Sequence, residues 1–190
     1  MAQRVSRSYV AVGSNMPTDQ GDPRDLAESA IHQLGRLGRV VRSPFYETPA
    51  YPLGSGPDFV NGVVGLDTAI SADDLLAALH GIEADAGRTR AERWGPRVLD
   101  LDLLAYGDAV LPDAQTQDDW RALPSERQTA VAPGRLILPH PRLQDRAFVL
   151  VPWADIAPDW THPRTGLTVA QMLDALPTAD TAAIRPVNIA

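Results

Sequence analysis

Apolar and polar positions divide the chain into a short series of elements. Residues 8–15, SYVAVGSN, form an apolar run that ends in a turn, the pattern of a short buried strand. Asp22, Pro23 and Asp25 then read as an N-cap, a first-turn proline and an N3 acid. Leu26, Ala27, Ala30, Ile31, Leu34 and Leu37 follow at helical spacing, predicting a helix closed near Gly35 or Gly38. RVVRSPFYETP (39–49) is β-branched and aromatic, and DFVNGVVGLD (58–67) alternates after a Pro/Gly-rich connection; both predict strands. Ser71 with Asp74 forms a capping box ahead of Leu75, Leu76, Leu79, Ile82 and Glu83, and Gly87 stands where a helix stops. VLDLDLLAY (98–106) is the next strand. The order β-α-β-β-α-β predicts an α/β (α+β) fold of the ferredoxin-like split-βαβ kind, with two helices on one face of an antiparallel sheet. The opposite face is expected to stay open for a ligand.

Residues 108–135 are polar and rich in Pro, Gln and Asp, and are expected to form a mobile insertion. LILPHPRLQDRAFVLVPWADIAPDW resumes an apolar pattern. Thr168 and Gln171 cap a last short helix through Leu176, a C-terminal addition to the core. With 190 residues, 44% of them hydrophobic, the chain has the size of a single domain, 1–190.

Composition narrows the chemistry. No apolar stretch reaches the roughly 20 residues of a membrane helix, and no signal-peptide run follows MAQRVSRSY, so a cytoplasmic protein without membrane association is expected. The chain has no cysteine and four scattered histidines, which excludes disulfides and thiolate metal sites. A net charge of −7 opposes broad nucleic-acid binding and favours small-molecule substrates. All 17 basic residues are arginine, so lysine Schiff-base chemistry and a Walker A loop are ruled out. A monomer is expected.

Four of those arginines, Arg88, Arg90, Arg93 and Arg97, fall within ten residues around Trp94, Gly95 and Pro96. Planar guanidinium forks in such a loop suit a polyphosphate. Directly behind them, Asp100 and Asp102 point to one face of a strand and lie about 7 Å apart, while Leu99, Leu101 and Leu103 point to the other. Two like charges there repel, and a hard cation shared with substrate phosphates relieves the repulsion. Two solvated aspartates paired with Arg93 or Arg97 would be the plainer explanation.

RWGPRVLDLDLL, FYETPAYPLGSGPDFVNGVV (45–64), IEADAGRTRAERWGPR, LPHPRLQDRAFVLVPWADIAP and the early VAVGSN occur together and in order. In this the chain resembles the 6-hydroxymethyl-7,8-dihydropterin pyrophosphokinase family of the folate pathway. The resemblance implies transfer of pyrophosphate from ATP to the hydroxymethyl group of 6-hydroxymethyl-7,8-dihydropterin, with release of AMP. It implies that Asp100 and Asp102 hold two Mg²⁺ ions, and that Arg88 and Arg97 act with them in catalysis. ATP would be contacted by Glu83, Arg88, Arg90, Trp94, Arg97, Arg135, His140 and Arg146. The pterin would lie between Phe59 and Phe148, with Asn61 on its amide edge and Thr48 and Pro49 along the pocket wall; extra residues near Ala50 and Tyr51 leave Leu53 unassigned. Ordinary structural roles compete at these positions: core packing for Phe59 and Phe148, a backbone-bonded histidine at His140, a surface ion pair at Arg146 and a solvated last-turn acid at Glu83.

Two other classes use some of the same features. A nucleotidyltransferase combines a Gly-Ser turn with a D-x-D strand, but as near neighbours, whereas Ser14 and Asp100 are far apart. A ferredoxin-like RNA-binding module would use Phe59 and the arginine loop, against the acidic balance of the chain.

Overall fold

The first strand, β1 (Ser6–Ser14), lies inside the sheet between its edge strand on one side and its longest strand on the other. A computed structural model describes residues 5–50, 56–87, 98–124, 127, 131 and 133–187. β1 pairs antiparallel with β5 (Asp100–Tyr106) on one side and β4 (Phe59–Thr68) on the other. β4 in turn pairs with β2 (Arg39–Arg42) and β3 (Tyr46–Thr48). The expected strand 39–49 is thus broken in two. Ser43 makes the break: its Oγ donates to the Pro44 carbonyl and accepts from the Val63 N–H. If β2 and β3 count as one strand, the order is that of the split-βαβ fold.

α1 (Pro23–Leu34) starts at Asp22, whose carboxylate accepts from the N–H groups of Arg24 and Asp25, with Asp25 closing the capping box. α2 (Ala72–Asp85) starts at Ser71 and stops before Gly87, whose φ of 90° a side chain would resist. Ala27, Ala30 and Leu34 of α1 and Leu75, Leu79 and Ile82 of α2 close over Val10, Val12, Val64, Leu66, Leu101 and Leu103, alternate residues of β1, β4 and β5. That face is the larger core.

The opposite face does not stay open along its whole length. α4 (Ala147–Ala154) and α5 (Val169–Asp174) lie against Tyr9, Val63, Leu104 and Ala105. α4 reads AFVLVPWA, apolar all round; Ala147, Val149, Leu150, Pro152 and Trp153 are buried, while Phe148 is left exposed. Trp153 is fully buried, its ring centroid 5.0 Å from Tyr9 and 4.7 Å from Trp160. A register shift between Tyr9 and Val10 places Leu104 and Ala105 together under these helices. The other end of the face, where the residues are polar, is left uncovered by the helices of the described residues.

The Thr168–Gln171 capping box begins α5 as expected, but α5 is not the last element. α6 (Thr178–Ala182) and β6 (Arg185–Pro186) follow, and β6 pairs with β3. The 108–135 connection also differs from a structureless insertion. It contains α3 (Ala114–Arg121), capped by Asp113, and Leu111 forms a two-bond bridge with Leu138. No helix among the described residues is long and apolar enough to cross a membrane.

Candidate active site

Strand register assembles the uncovered end of the face. Gly13 of β1 stands opposite Asn61 of β4 on one side and Asp100 of β5 on the other, while Tyr46 of β3 faces Asn61. Asp100, Gly13, Asn61 and Tyr46 therefore form one row across four strands, and Asp100 and Asn61, two strands apart, are separated by about 10 Å. Asp102 lies in the next row, opposite Ala11. Beyond Asn61 come Phe59 and its neighbour Thr48. The two carboxylates and the polar set on β3 and β4 thus share one face, separated by a strand that carries only glycine and alanine between them.

Gly13 makes that gap. A Cβ there would lie 2.6 Å from Asn61 Oδ1 and 3.9 Å from the Phe59 ring. Asn61 itself is buried, and its Nδ2 donates to Thr48 Oγ1 at 2.6 Å, which fixes the carboxamide with Oδ1 toward Gly13. Tyr46 donates its hydroxyl to Asp155 at the end of α4, and burial, then that bond, push its pKa up to about 12. Sequence reasoning gave no role to Tyr46, and used Gly13 only as part of the Gly-Ser turn of a rival nucleotidyltransferase. The available signal was a glycine interrupting an apolar strand, which marks a close approach of another group.

Arg146, at the N-cap of α4, joins the two sides. Its Nη1 donates to Asp102 Oδ2 at 2.8 Å, and its guanidinium carbon lies 5.6 Å from the centre of the Phe148 ring. Phe148 is 37% exposed and Phe59 half-buried, whereas Phe45 is buried in the larger core. Two of the three phenylalanines therefore sit outside the core, against the packing explanation for both.

His140 follows the Leu138 bridge, and its N–H donates to the Leu104 carbonyl at 2.8 Å. Nδ1 accepts from the Arg142 N–H, so the neutral ring carries its proton on Nε2. Burial pushes its pKa down to about 4; Arg146 adds to that depression and Asp102 opposes it. The histidine is a neutral donor near Asp102 and Arg146.

The family resemblance places Glu83 among the ATP contacts, with a solvated last-turn acid as the plainer alternative. The structure rules out the solvated alternative: Glu83 is buried, and its Oε1 accepts from the Leu101 N–H at 2.8 Å. β5 is an edge strand, so this N–H has no strand to meet, and the last turn of α2 supplies the acceptor. Pro49 borders a different hollow of about 200 Å³, with Glu47, Asp58, Ala183 and Arg185. Arg135 is exposed, and its charge acts on Asp113 at the start of α3. Arg88, Arg90, Arg93, Trp94, Arg97 and Leu53 lie outside the described residues.

Comparison with known proteins identifies the family and the fold. The 7,8-dihydro-6-hydroxymethylpterin-pyrophosphokinase family profile matches residues 9–158. The chain is 38% identical over 189 residues to the 2-amino-4-hydroxy-6-hydroxymethyldihydropteridine pyrophosphokinase of Synechocystis sp., covering 97% of this chain and 82% of that one. To the enzyme of the same name from Pseudomonas aeruginosa it is 40% identical over 176 residues, covering 91% and 93%. Its fold resembles that of the Plasmodium falciparum HPPK-DHPS wild-type structure with STZ-DHP, at a TM-score of 0.65 and 14% identity over 91% of this chain. The chain spans 43% of the length of that longer protein. By the profile match and these identities, the chain belongs to the 7,8-dihydro-6-hydroxymethylpterin-pyrophosphokinase family.

Proposed function

We propose that the uncovered end of the sheet is where this chain transfers pyrophosphate from ATP to the hydroxymethyl group of 6-hydroxymethyl-7,8-dihydropterin in folate biosynthesis. The observation that carries the assignment to this end is Arg146, whose guanidinium bonds a carboxylate and also lies over the ring of an exposed phenylalanine. Polyphosphate chemistry and a flat heterocycle meet at that one side chain.

Phe59 and Phe148 hold the pterin by stacking. Asn61, fixed by Thr48, reads its amide edge. The hydroxymethyl group then points along the row toward Gly13, where a Cβ would collide with Asn61 Oδ1 and displace the carboxamide that reads the pterin. Asp100 and Asp102 fit a magnesium site: two half-buried carboxylates on one face are the partial donor set that magnesium completes with phosphate oxygens and water. When bound there, Mg²⁺ neutralises phosphate charge. Arg146 then leaves Asp102 for a phosphate oxygen, keeping its charge compensated throughout. His140 donates from Nε2 without contributing charge. Arg88, Arg90, Arg97 and Trp94 complete the triphosphate side, as the family resemblance implies.

In the reaction the hydroxymethyl oxygen attacks the β-phosphorus. The bond from that phosphorus to the α–β bridging oxygen breaks, AMP departs with the bridging oxygen, and the hydroxyl proton goes to solvent. Chromatographic analysis of a reaction with ATP, magnesium and the hydroxymethyldihydropterin tests this. One AMP per pterin diphosphate is expected; one ADP per monophosphate, or pyrophosphate release with a nucleotidylated acceptor, would refute it.

A further inference from the structure

α3 presents an unusual inside. It is a polar helix with one buried residue, and that residue is a glutamine. Gln117 has no exposed surface, and its Nε2 donates to the Pro139 carbonyl at 3.1 Å. The carbonyl of Pro139 belongs to the peptide that leads into His140. A buried amide stabilises a docked helix less well than a leucine of similar size would, because its desolvation consumes most of the hydrogen-bond energy. Its advantage is direction. It fixes one carbonyl, and with it the peptide plane from which His140 projects.

The rest of α3 is tied down to hold that bond. Leu111 and Leu138 exchange backbone bonds of 2.8 and 3.1 Å just before the helix and just before Pro139. Asp118, next to Gln117, takes bonds from both Arg121 and Arg164, which hold its carboxyl well below the usual range and anchor α3 to the segment beyond α4. The side chain that enters from this frame is aimed at the His140 peptide, and His140 is pinned from its other side by Leu104.

We infer that Gln117 is a positioning residue for the nucleotide half of the site, acting through the Pro139 carbonyl on His140, and that α3 is part of the catalytic apparatus rather than a surface insertion. This rests on the assignment of His140 to ATP made above. The test is calorimetric titration of the full chain with magnesium and α,β-methylene-ATP, and separately with the pterin. Gln117→Met keeps the volume and loses the donor; it should weaken nucleotide binding roughly three- to tenfold, the size of one neutral hydrogen bond, and leave pterin binding within about twofold. His140→Ala should weaken nucleotide binding as well, and the double variant should be no worse than His140→Ala alone, because Gln117 acts only through that ring. Unchanged nucleotide affinity in Gln117→Met, equal loss for both ligands, or multiplying losses in the double variant would overturn the inference. A neutral His140→Ala would instead overturn the assignment of His140 beneath it. If Gln117→Met fails to fold, Asp113→Ala decides, since it loosens α3 at its exposed cap: a nucleotide-selective loss supports the positioning role, and none refutes it.

Discussion

The two ends of one sheet face are made by the same three strands and have opposite fates. At one end Tyr9, Val63, Leu104 and Ala105 meet Trp153 and disappear under α4 and α5. At the other, only a few residues along the same strands, Gly13, Asn61, Asp100 and Asp102 stand outside both apolar clusters. Alternation along a strand decides which face a residue joins, not whether that face will be covered. Coverage came from a C-terminal segment whose apolar helix matches the apolar end and stops at Arg146, where the polar end begins. The site is thus a boundary: the closed end supplies rigidity, and the open end supplies chemistry that rigidity keeps in place.

The sharpest way to break the open end is to remove its charge. Asp100→Asn or Asp102→Asn should bring turnover close to background while the thermal midpoint stays near that of the parent, since the amide keeps the shape and loses the charge that, on the proposed function, would hold Mg²⁺. Steady-state rates at saturating magnesium, with a melting curve beside them, check this. Near-normal rates would show that the pair is structural.

The closed end should respond in the converse way. Trp153→Ala removes the largest fully buried side chain, and truncations of this kind cost about 3–5 kcal/mol. Urea unfolding should show that loss, whereas the variant, assayed where it is still folded, should keep most of its kcat. A milder change at the open end sharpens the contrast. Phe148→Ala should weaken pterin binding by about 1–3 kcal/mol, on the scale of base–aromatic stacking, with ATP affinity much less affected and little change in stability. Equal losses for both ligands would return Phe148 to the core.

The smallest effect concerns pH and falls first on the closed end. His162 is fully buried in edge-to-face contact with Trp160, and its Nδ1 accepts from the N–H groups of Arg164 and Thr165. Burial, then the nearby Arg121, push its pKa down to about 4. The unfolded chain binds this proton near pH 6.5 and the folded chain only near pH 4, so the stabilisation is complete above pH 6.5 and falls as the pH drops to about 4. The slope from such a group is at most about 1.4 kcal/mol per pH unit. His140 has a shift of the same sign and size, so His162→Gln should remove roughly half of the acid sensitivity seen in urea titrations between those limits.

The caps, the strands and the shared face of Asp100 and Asp102 were legible because each depends on local spacing. Asp22, Ser71 and Thr168 begin helices where the sequence puts them. What depended on a distant partner was not. Glu83 has the sequence context of a solvated acid and becomes buried because the unpaired Leu101 N–H lies across from it. α3 offers no apolar stripe, since its one inward residue is Gln117, so its sequence looks like loop. Nothing in AFVLVPWA says which part of the sheet it will cover. Pro44 signals a break in the strand 39–49, but the role of Ser43 in closing that break requires Val63.

Paramagnetic relaxation tests most directly whether the carboxylate row and the pterin row face each other across Gly13. With Mn²⁺ in place of Mg²⁺, α,β-methylene-ATP and the pterin bound together, the hydroxymethyl protons of the pterin should relax fastest and the ring protons less, consistent with a metal held by Asp100 and Asp102 about 10 Å from Asn61. Asp102→Asn should largely abolish the effect. Pterin protons that relax no faster with Mn²⁺ than without it, in a complex shown by titration to hold both ligands, would contradict the account.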